Sequence, residues 1–515
     1  MSRTHLVVVR APEVGAVVDA SAADATSASL AAQTYGDWTV VGASDEAAPD
    51  AIDWSGLLRL PARVPVPDDA DDVLVVVVPE GARLVPDALA RIERAAAGGA
   101  RLISWDGDVD GTPALRFGWS PETLWSAEYL HGCFAIALDD YLEAVKAVPA
   151  DVPLSTWSLL LHVSPEIAPT VHISQSLVQR AASHPVGAAA AQRVVQGGLD
   201  HRGVPATVDR SDGSSRLHWH PDAWPTVSIV IPSRHNEALL GPLFESLTQS
   251  ARLEGGPAFD VLVVDNGERT ADSEAFYARD WRGEYGYGLD VLWWEETPFH
   301  YGDVNNEGVR RTTGEVVVLL NDDTVVENAG WLAELVGLAD LPGIGCAGTA
   351  LLDPEGMLQH AGVWLGLWGF AGHLFGGMPP GSDSLMGPTT WYRNTLAVTA
   401  ACLAIRRDRY QAVGGLDPRF VLCGSDVTLG LDLHASGLRN VCSPHPDVHH
   451  LESATRSAAP LDDQLASLVR YQPWHEAGDP YLNDRISLRS KTPRLRRKNE
   501  SDPVAAARAE LEVTL

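Results

Sequence analysis

Hydrophobic positions in this chain come in short, dense runs separated by polar stretches. Residues 5–10 (HLVVVR), 39–41 and 73–78 (VLVVVV) form a first group, and residues 227–231, 259–264, 289–293 and 316–320 a second. Runs of this length, rich in Val and bounded by polar residues, predict buried strands of a mostly parallel sheet. Between them lie helical patterns: an Ala-rich stretch at 27–33, and 237–249, where Leu239, Leu240, Leu243 and Leu247 share one face. A polar helix is predicted at 304–312 and another helix at 331–338. Strands alternating with helices imply an α/β fold. The plan starts twice. A helical pattern over 188–203 ends at a glycine, and the polar stretch VDRSDGSSR that follows suits a linker. The expected division is therefore 1–215, 216–488 and a tail at 489–515.

In the second group, polar residues gather where the apolar runs stop. Pro232 ends one run, Asp265-Asn266-Gly267 follows another, and Asn321-Asp322-Asp323 follows VVVLL. Open α/β sheets bind ligands at the carboxyl ends of their strands. Asn and Asp are also ordinary turn and cap residues, so either strand end alone could be a capped turn. Two strands delivering carboxylates to one sheet edge favour a site. One acid can accept hydrogen bonds from a base or ribose, and a second can hold magnesium or manganese that neutralises a diphosphate leaving group. No G-x-x-x-x-G-K-[ST] loop occurs, and no glycine-rich dinucleotide fingerprint follows the first strand of either group, which argues against ATPases and dehydrogenases.

Composition narrows the classes further. With 515 residues the chain is too long for one ordinary domain, and 45% hydrophobic content suits a buried core. A formal net charge of −30 argues against nucleic acid as a general partner. No apolar stretch has bilayer-spanning length, and the opening MSRTHLVVVRAPEVG turns polar too soon for a signal peptide, so a cytoplasmic location is expected. The 5 cysteines show no C-x-x-C spacing and read as reduced thiols. Arg489, Lys491, Arg494, Arg496, Arg497 and Lys498 cluster near the end of this acidic chain. That run reads either as a solvated tail or as a peripheral contact with anionic lipid, worth about 1 kcal/mol per basic residue.

The second group resembles a family-2 glycosyltransferase with a GT-A fold, of the bacterial rhamnosyl- and galactofuranosyltransferase kind. The likeness runs through VSIVIPSR, VVDNG, PFHYGDVNNEG, LLNDDT, GTALLDPEGMLQHAGVWLG, AVTAACLAIRRDRYQAVGGLDPRF, GSDVTLGL and HPDVHHLESATR. It implies an inverting, metal-dependent transfer from a UDP-, dTDP- or GDP-linked sugar to a cell-envelope glycan or lipid-linked acceptor. It also implies roles: Asp265 and Pro232 beside the base, Asn321 on the ribose side of the D-x-D position, and Asp322 in the middle of that motif. Asp323 falls on the metal ligand, with His450 of the H-x-E-S motif (His450, Glu452, Ser453) completing the metal site or holding the diphosphate. Asp426 of GSD falls on the general base, which takes the acceptor hydroxyl's proton. Trp364, Trp368 and Trp391 could cover the acceptor or simply pack. His445, His449 and His450 invite a zinc reading, but no cysteine pair stands at ligand spacing.

This sequence departs from the family pattern at Ser425, Thr428 and Asp432, around the expected base. The first group resembles a degenerate copy of the same fold, through QTYGDWTVVGASD, FGWSPETLWSAEYL and VHISQSLVQR. Pro79-Glu80-Gly81 replaces its D-x-D, and Thr156 and Ser158 stand in place of carboxylates; neither hydroxyl is a competent base near neutral pH. An inactive domain serving packing, dimerisation or acceptor binding is expected there. Two other readings remain open: a sugar-nucleotide-binding protein without turnover, and a nucleotidyltransferase. The latter would be expected to carry a glycine-rich basic loop where PSRHNEALL stands.

Overall fold

A computed structural model describes residues 4–11, 20–41, 72–79, 81–180, 186–295, 299–451 and 459–514. The chain forms two compact units. The first comprises Met1–Arg216, Leu385–Gly387 and Pro480–Arg485; the second comprises Leu217–Ser384, Pro388–Asp479 and Ile486–Leu515.

Among the described residues, the first unit is built on an eight-stranded mixed sheet. The Val-rich run becomes strand Asp72–Pro79, parallel to Thr4–Ala11, which in turn pairs in parallel with Trp38–Val41. Beyond Asp72–Pro79 the next strand, Phe134–Ala137, runs antiparallel. Leu74 to Val78 are buried, as a strand covered on both faces requires. Glu80 lies outside the described residues. Pro480–Arg485 belongs to this core: Asn483 is fully buried and donates to Asp106 Oδ1 (2.8 Å) and Arg116 O (2.7 Å).

The second unit has four parallel strands leading into a mixed region. Gly288–Trp293, Phe259–Asp265, Val227–Ser233 and Val316–Leu320 lie side by side in parallel. Cys402–Arg406 then pairs antiparallel with Val316–Leu320, and Ile344–Leu352, Arg439–His450 and Thr324–Val326 complete the path. The apolar runs are buried because helices cover the sheet. Helix Tyr301–Arg311 seats closely on the parallel half through Gly308, where a Cβ would run into Val230 Cγ1. Such contact leaves no room for alanine.

Two registers place the polar strand ends. Ser233 lies opposite Asp265, and Thr324 lies opposite His450. The second of these brings the far end of a long strand against the turn Asn321–Asp323. No helix among the described residues is long and apolar enough to cross a membrane. The expected tail from residue 489 onward belongs to the second unit, and its described part ends in helix Pro503–Thr514.

Candidate active site

The turn after Val316–Leu320 is held by backbone hydrogen bonds from both sides. Leu451 N donates to Asp323 O (2.8 Å), and Asn321 N donates to Ala401 O (3.0 Å). Asn321, Asp323 and His450 are all largely buried. The Tyr301 hydroxyl lies 3.0 Å from Asn321 Oδ1, and Asn321 Nδ2 lies 3.2 Å from His450 Nε2. Asp322 accepts a hydrogen bond from Ser233 Oγ (2.7 Å). Burial, reinforced by the charges of Asp323 and Asp265, pushes the Asp322 carboxyl up to about 6, against the Ser233 hydrogen bond.

The orientation of the His450 ring can be read from its partners. Gln359 Nε2 donates to His450 O (3.3 Å), which leaves Gln359 Oε1 facing His450 Nδ1 at 2.6 Å. An amide oxygen can only accept, so Nδ1 carries a proton, and Nε2 is left to face Asn321 and Asp323. That nitrogen lies 3.0 Å from Asp323 Oδ1. Two donors in cis positions on an octahedral cation, each about 2.1 Å from it, would stand roughly 3 Å apart. A histidine whose other nitrogen is held by an amide oxygen, standing beside a carboxylate, is a donor pair that would suit a divalent cation. Among the described residues, no group of three or more His, Cys, Asp or Glu side chains gathers for metal binding. His445 instead contacts the Tyr392 hydroxyl (3.2 Å) and His449 pairs with Glu327 (2.9 Å), so the histidines of this strand serve different neighbours. Glu452 and Ser453 lie outside the described residues.

Asp265 is fully buried and already satisfied. It accepts from Gly267 N (2.7 Å) and Tyr277 Oη (2.7 Å), and lies 3.1 Å from His235 Nδ1. Its observed work is tying the loop after its strand to the helix Ala271–Tyr277. Pro232 is a buried strand residue opposite Val264.

Asp426 sits in the first turn of helix Ser425–Ala435. The helix follows Gly424, whose φ of 107° and lack of a side chain are both required: a Cβ there would lie 2.7 Å from the Phe420 ring. Asp426 Oδ2 accepts from Ala400 N (3.2 Å) and Oδ1 from Val427 N (2.9 Å). The loop before it is strapped by Asp463, a buried carboxylate in helix Leu461–Ala477. Asp463 accepts from the backbone N–H groups of Val421 (2.6 Å), Leu422 (2.9 Å) and Cys423 (2.9 Å). Val421 O accepts from Tyr301 N (2.8 Å), which joins the loop to the strand-end side of the site.

Asp426 and Asn321 line one cavity of about 500 Å³, together with Tyr301, Trp368, His373 and Lys491. Of the expected aromatic residues, Trp364 is 1% exposed and belongs to the core, which corrects its placement on an acceptor face. Trp391 does not line the cavity and packs against the Arg393 guanidinium (5.6 Å). Burial brings Arg393 down to about 9. Trp368 is the aromatic that reaches the cavity, 55% exposed on a backbone with φ of 57°.

Sequence reasoning missed Tyr301, Gln359, Asp463 and the pair His360–His373. Gln359 and His360 stand within MLQHAGV, adjacent residues whose partners lie far along the chain. His360 Nε2 accepts from Gly362 N (3.2 Å), so Nδ1 carries its proton and donates to His373 Nδ1 (2.7 Å). Burial, with His373 and His450 nearby, holds His360 well below its usual range.

Residues 225–466 match the family model described as glycosyltransferase like family 2. The chain is similar to the O-antigen biosynthesis protein RfbC of Myxococcus xanthus, 34% identical over 448 residues. That match covers 82% of this chain and 34% of the relative, so the chain spans about a third of that protein's length. It is also similar to the N-acetylglucosaminyl-diphospho-decaprenol L-rhamnosyltransferase of Mycobacterium tuberculosis (strain ATCC 25618 / H37Rv), 24% identical over 270 residues, covering 48% of this chain and 82% of the relative. Among solved structures, GalNAc-T7 with UDP, GalNAc and Mn2+ aligns with a TM-score of 0.39 and 15% identity over 52% of each chain.

Proposed function

We propose that this chain, whose residues 225–466 match the family-2 glycosyltransferase model, moves a sugar from a nucleotide-diphosphate donor to an acceptor in bacterial polysaccharide synthesis. The supporting observation is that one cavity is lined both by Asp426 and by the Asn321 end of the acidic strand edge. A base and a donor-binding edge must share one space for an acceptor hydroxyl to reach an anomeric carbon. The names of the relatives, an O-antigen biosynthesis protein and a rhamnosyltransferase, favour a cell-envelope glycan as product.

The reaction proposed is a single displacement with inversion. The acceptor oxygen forms its bond to the anomeric carbon as the bond to the diphosphate oxygen breaks, and the electron pair leaves on the diphosphate. Asp426 takes the acceptor hydroxyl's proton on a carboxylate oxygen. The Ala400 and Val427 N–H groups fix the angle of that carboxylate, and Asp463 fixes the loop leading to it. Asp323 and His450 would hold magnesium or manganese, whose charge neutralises the departing diphosphate. Asp322, Asn321 and Pro232 belong to the donor side of the site. Asp265 acts by holding its loop in place. The first unit is proposed as a non-catalytic copy.

Ser425 and Thr428 motivate a second reading, sugar-nucleotide binding without turnover, because they leave Asp426 as the lone carboxylate of its motif. The test is transfer and hydrolysis with UDP-, dTDP- and GDP-sugars in the presence of manganese. Asp426→Asn is expected to lower transfer by about 10²–10⁴-fold while nucleotide binding persists. Equal turnover in that variant sinks the base assignment. Nucleotide binding without turnover in the unaltered chain selects the second reading.

A further inference from the structure

We infer that Lys491 binds a substrate phosphate in the Asp426 cavity, carried there by a C-terminal hairpin that sequence patterning reads as a tail. The inference deepens the proposed reaction and rests on its diphosphate chemistry. Three observations support it: how the hairpin is fastened, where the lysine lies, and which charges around it are already used.

Residues 486–495 fold back on themselves. Ile486 bridges Leu495, and Ser487 N donates to Arg494 O (2.9 Å). Two further bonds pin this hairpin to the cavity wall: Trp368 N to Leu488 O (2.9 Å) and Phe375 N to Lys491 O (3.0 Å). The lysine's own carbonyl is thus an anchor point. Gly376 leaves room for its stem, since a Cβ there would lie 2.8 Å from Lys491 Cδ. Helix Pro503–Thr514 backs the same wall so closely that a Cβ on Gly369 would lie 2.5 Å from Ala507 Cβ. The end of the chain is therefore a structural part of the cavity.

Two other basic residues of the run, Arg489 and Arg494, are engaged within the segment. Arg489 donates to Ser501, and Arg494 pairs with Glu500 (2.7 Å). Lys491 has no ion-pair partner among the described residues, and of the described residues lining the cavity it is the one Lys or Arg. Of the two carboxylates there, Asp463 is used by three backbone N–H groups, which leaves Asp426 and Lys491 as the charges facing the space. In a protein of net charge −30, a diphosphate entering this cavity meets its local positive charge at Lys491. A flexible ammonium is a suitable phosphate donor group.

A diphosphate could come from the sugar donor or from a lipid-linked acceptor. Calorimetric titration of the full chain without divalent cation, using inorganic pyrophosphate, UDP, dTDP, GDP and a short prenyl diphosphate, separates the two. Lys491→Met is expected to weaken pyrophosphate binding about tenfold and to flatten its salt dependence, with Lys491→Arg retaining most of the affinity. An unchanged thermal midpoint shows that the variants fold. Parallel loss for a nucleoside diphosphate assigns the lysine to the donor; loss for the prenyl diphosphate assigns it to the acceptor. Equal pyrophosphate affinity in Lys491→Met, or no pyrophosphate binding by the unaltered chain, overturns the inference. Lys491-dependent pyrophosphate binding in a chain that transfers sugar from no donor would instead refute the transfer reading.

Discussion

Asp463 offers the sharpest test of how this site is held together. It lies 37 residues after Asp426 and in a different helix, yet its carboxylate accepts from the N–H groups of Val421, Leu422 and Cys423 at 2.6, 2.9 and 2.9 Å. It is 1% exposed, so water does not share the work. Hydrogen bonds to a charged group contribute about 1.5–3 kcal/mol each, and the three together stabilise the loop by roughly 4–9 kcal/mol. Opening the loop would return those N–H groups to water, so the observable loss in Asp463→Ala is limited to about 3 kcal/mol, the upper cost of leaving one buried donor unpaired. That corresponds to about a 150-fold rise in the open population. Asp463→Asn should fall between, because the amide retains one acceptor but turns an NH₂ towards the remaining donors.

Hydrogen exchange followed by mass spectrometry reads this directly. Peptides carrying residues 421–424 should exchange about two orders of magnitude faster in Asp463→Ala, while strand Val316–Leu320 stays protected. Because Gly424 and Asp426 follow the loop, kcat should fall further than nucleotide affinity. Unchanged exchange at 421–424 would refute the strap, whatever happened to activity. Faster exchange with full turnover would separate the loop from the positioning of Asp426.

Other outcomes follow from the same geometry. Gln359→Leu removes the acceptor for His450 Nδ1 and should lower manganese affinity about 10- to 100-fold, measured by titration calorimetry with UDP present; an unchanged affinity would argue against His450 as a ligand. In the first unit, burial holds His131 well below its usual value and also lowers His162. The unfolded chain binds protons at these histidines from about pH 6.5 downward while the folded unit does not. Stability present above that pH is therefore lost as pH falls towards the folded values, by up to about 1.4 kcal/mol per pH unit for each histidine. The protection factor of strand Phe134–Ala137 in the full chain, corrected for the pH dependence of intrinsic exchange, should fall between pH 6.5 and 5.5, and His162→Gln should flatten the dependence; a constant protection factor in the unaltered chain would contradict it.

The parallel half of the second unit was legible because its strands announce themselves. A buried parallel strand must be apolar on both faces, so VVVLL and VLVV stand out, and the polar residues that end them mark the ligand edge. The mixed half has no such signature. Arg439–His450 carries Asn, Ser, His and Asp, yet most of it is buried, because side chains of other elements satisfy those groups: Tyr392 meets His445, and Gln359 meets His450. Periodicity cannot forecast hydrogen bonds made across 91 residues. Family resemblance reached His450 and Asp426, but only as letters in motifs.

The same reasoning shows why the charged end of the chain was misread. A run containing Arg489, Lys491 and Arg494 is indistinguishable by composition from a solvated tail. Its structure is set by contacts with little sequence pattern: carbonyls of Leu488 and Lys491 accepting from Trp368 and Phe375, and Glu500 meeting Arg494. Glycines mark the other side of that contact. Gly366, Gly369 and Gly376 occupy positions where a Cβ would run into Leu488, Ala507 and Lys491. Composition alone does not mark them as packed positions. In the fold they are the surface on which the C-terminal segment rests, and Trp368, which resides between two of them, faces the cavity because that surface is close-packed behind it. Glycines that read as freedom in the sequence here record close approach, and the approaching segment brings a charge to the site.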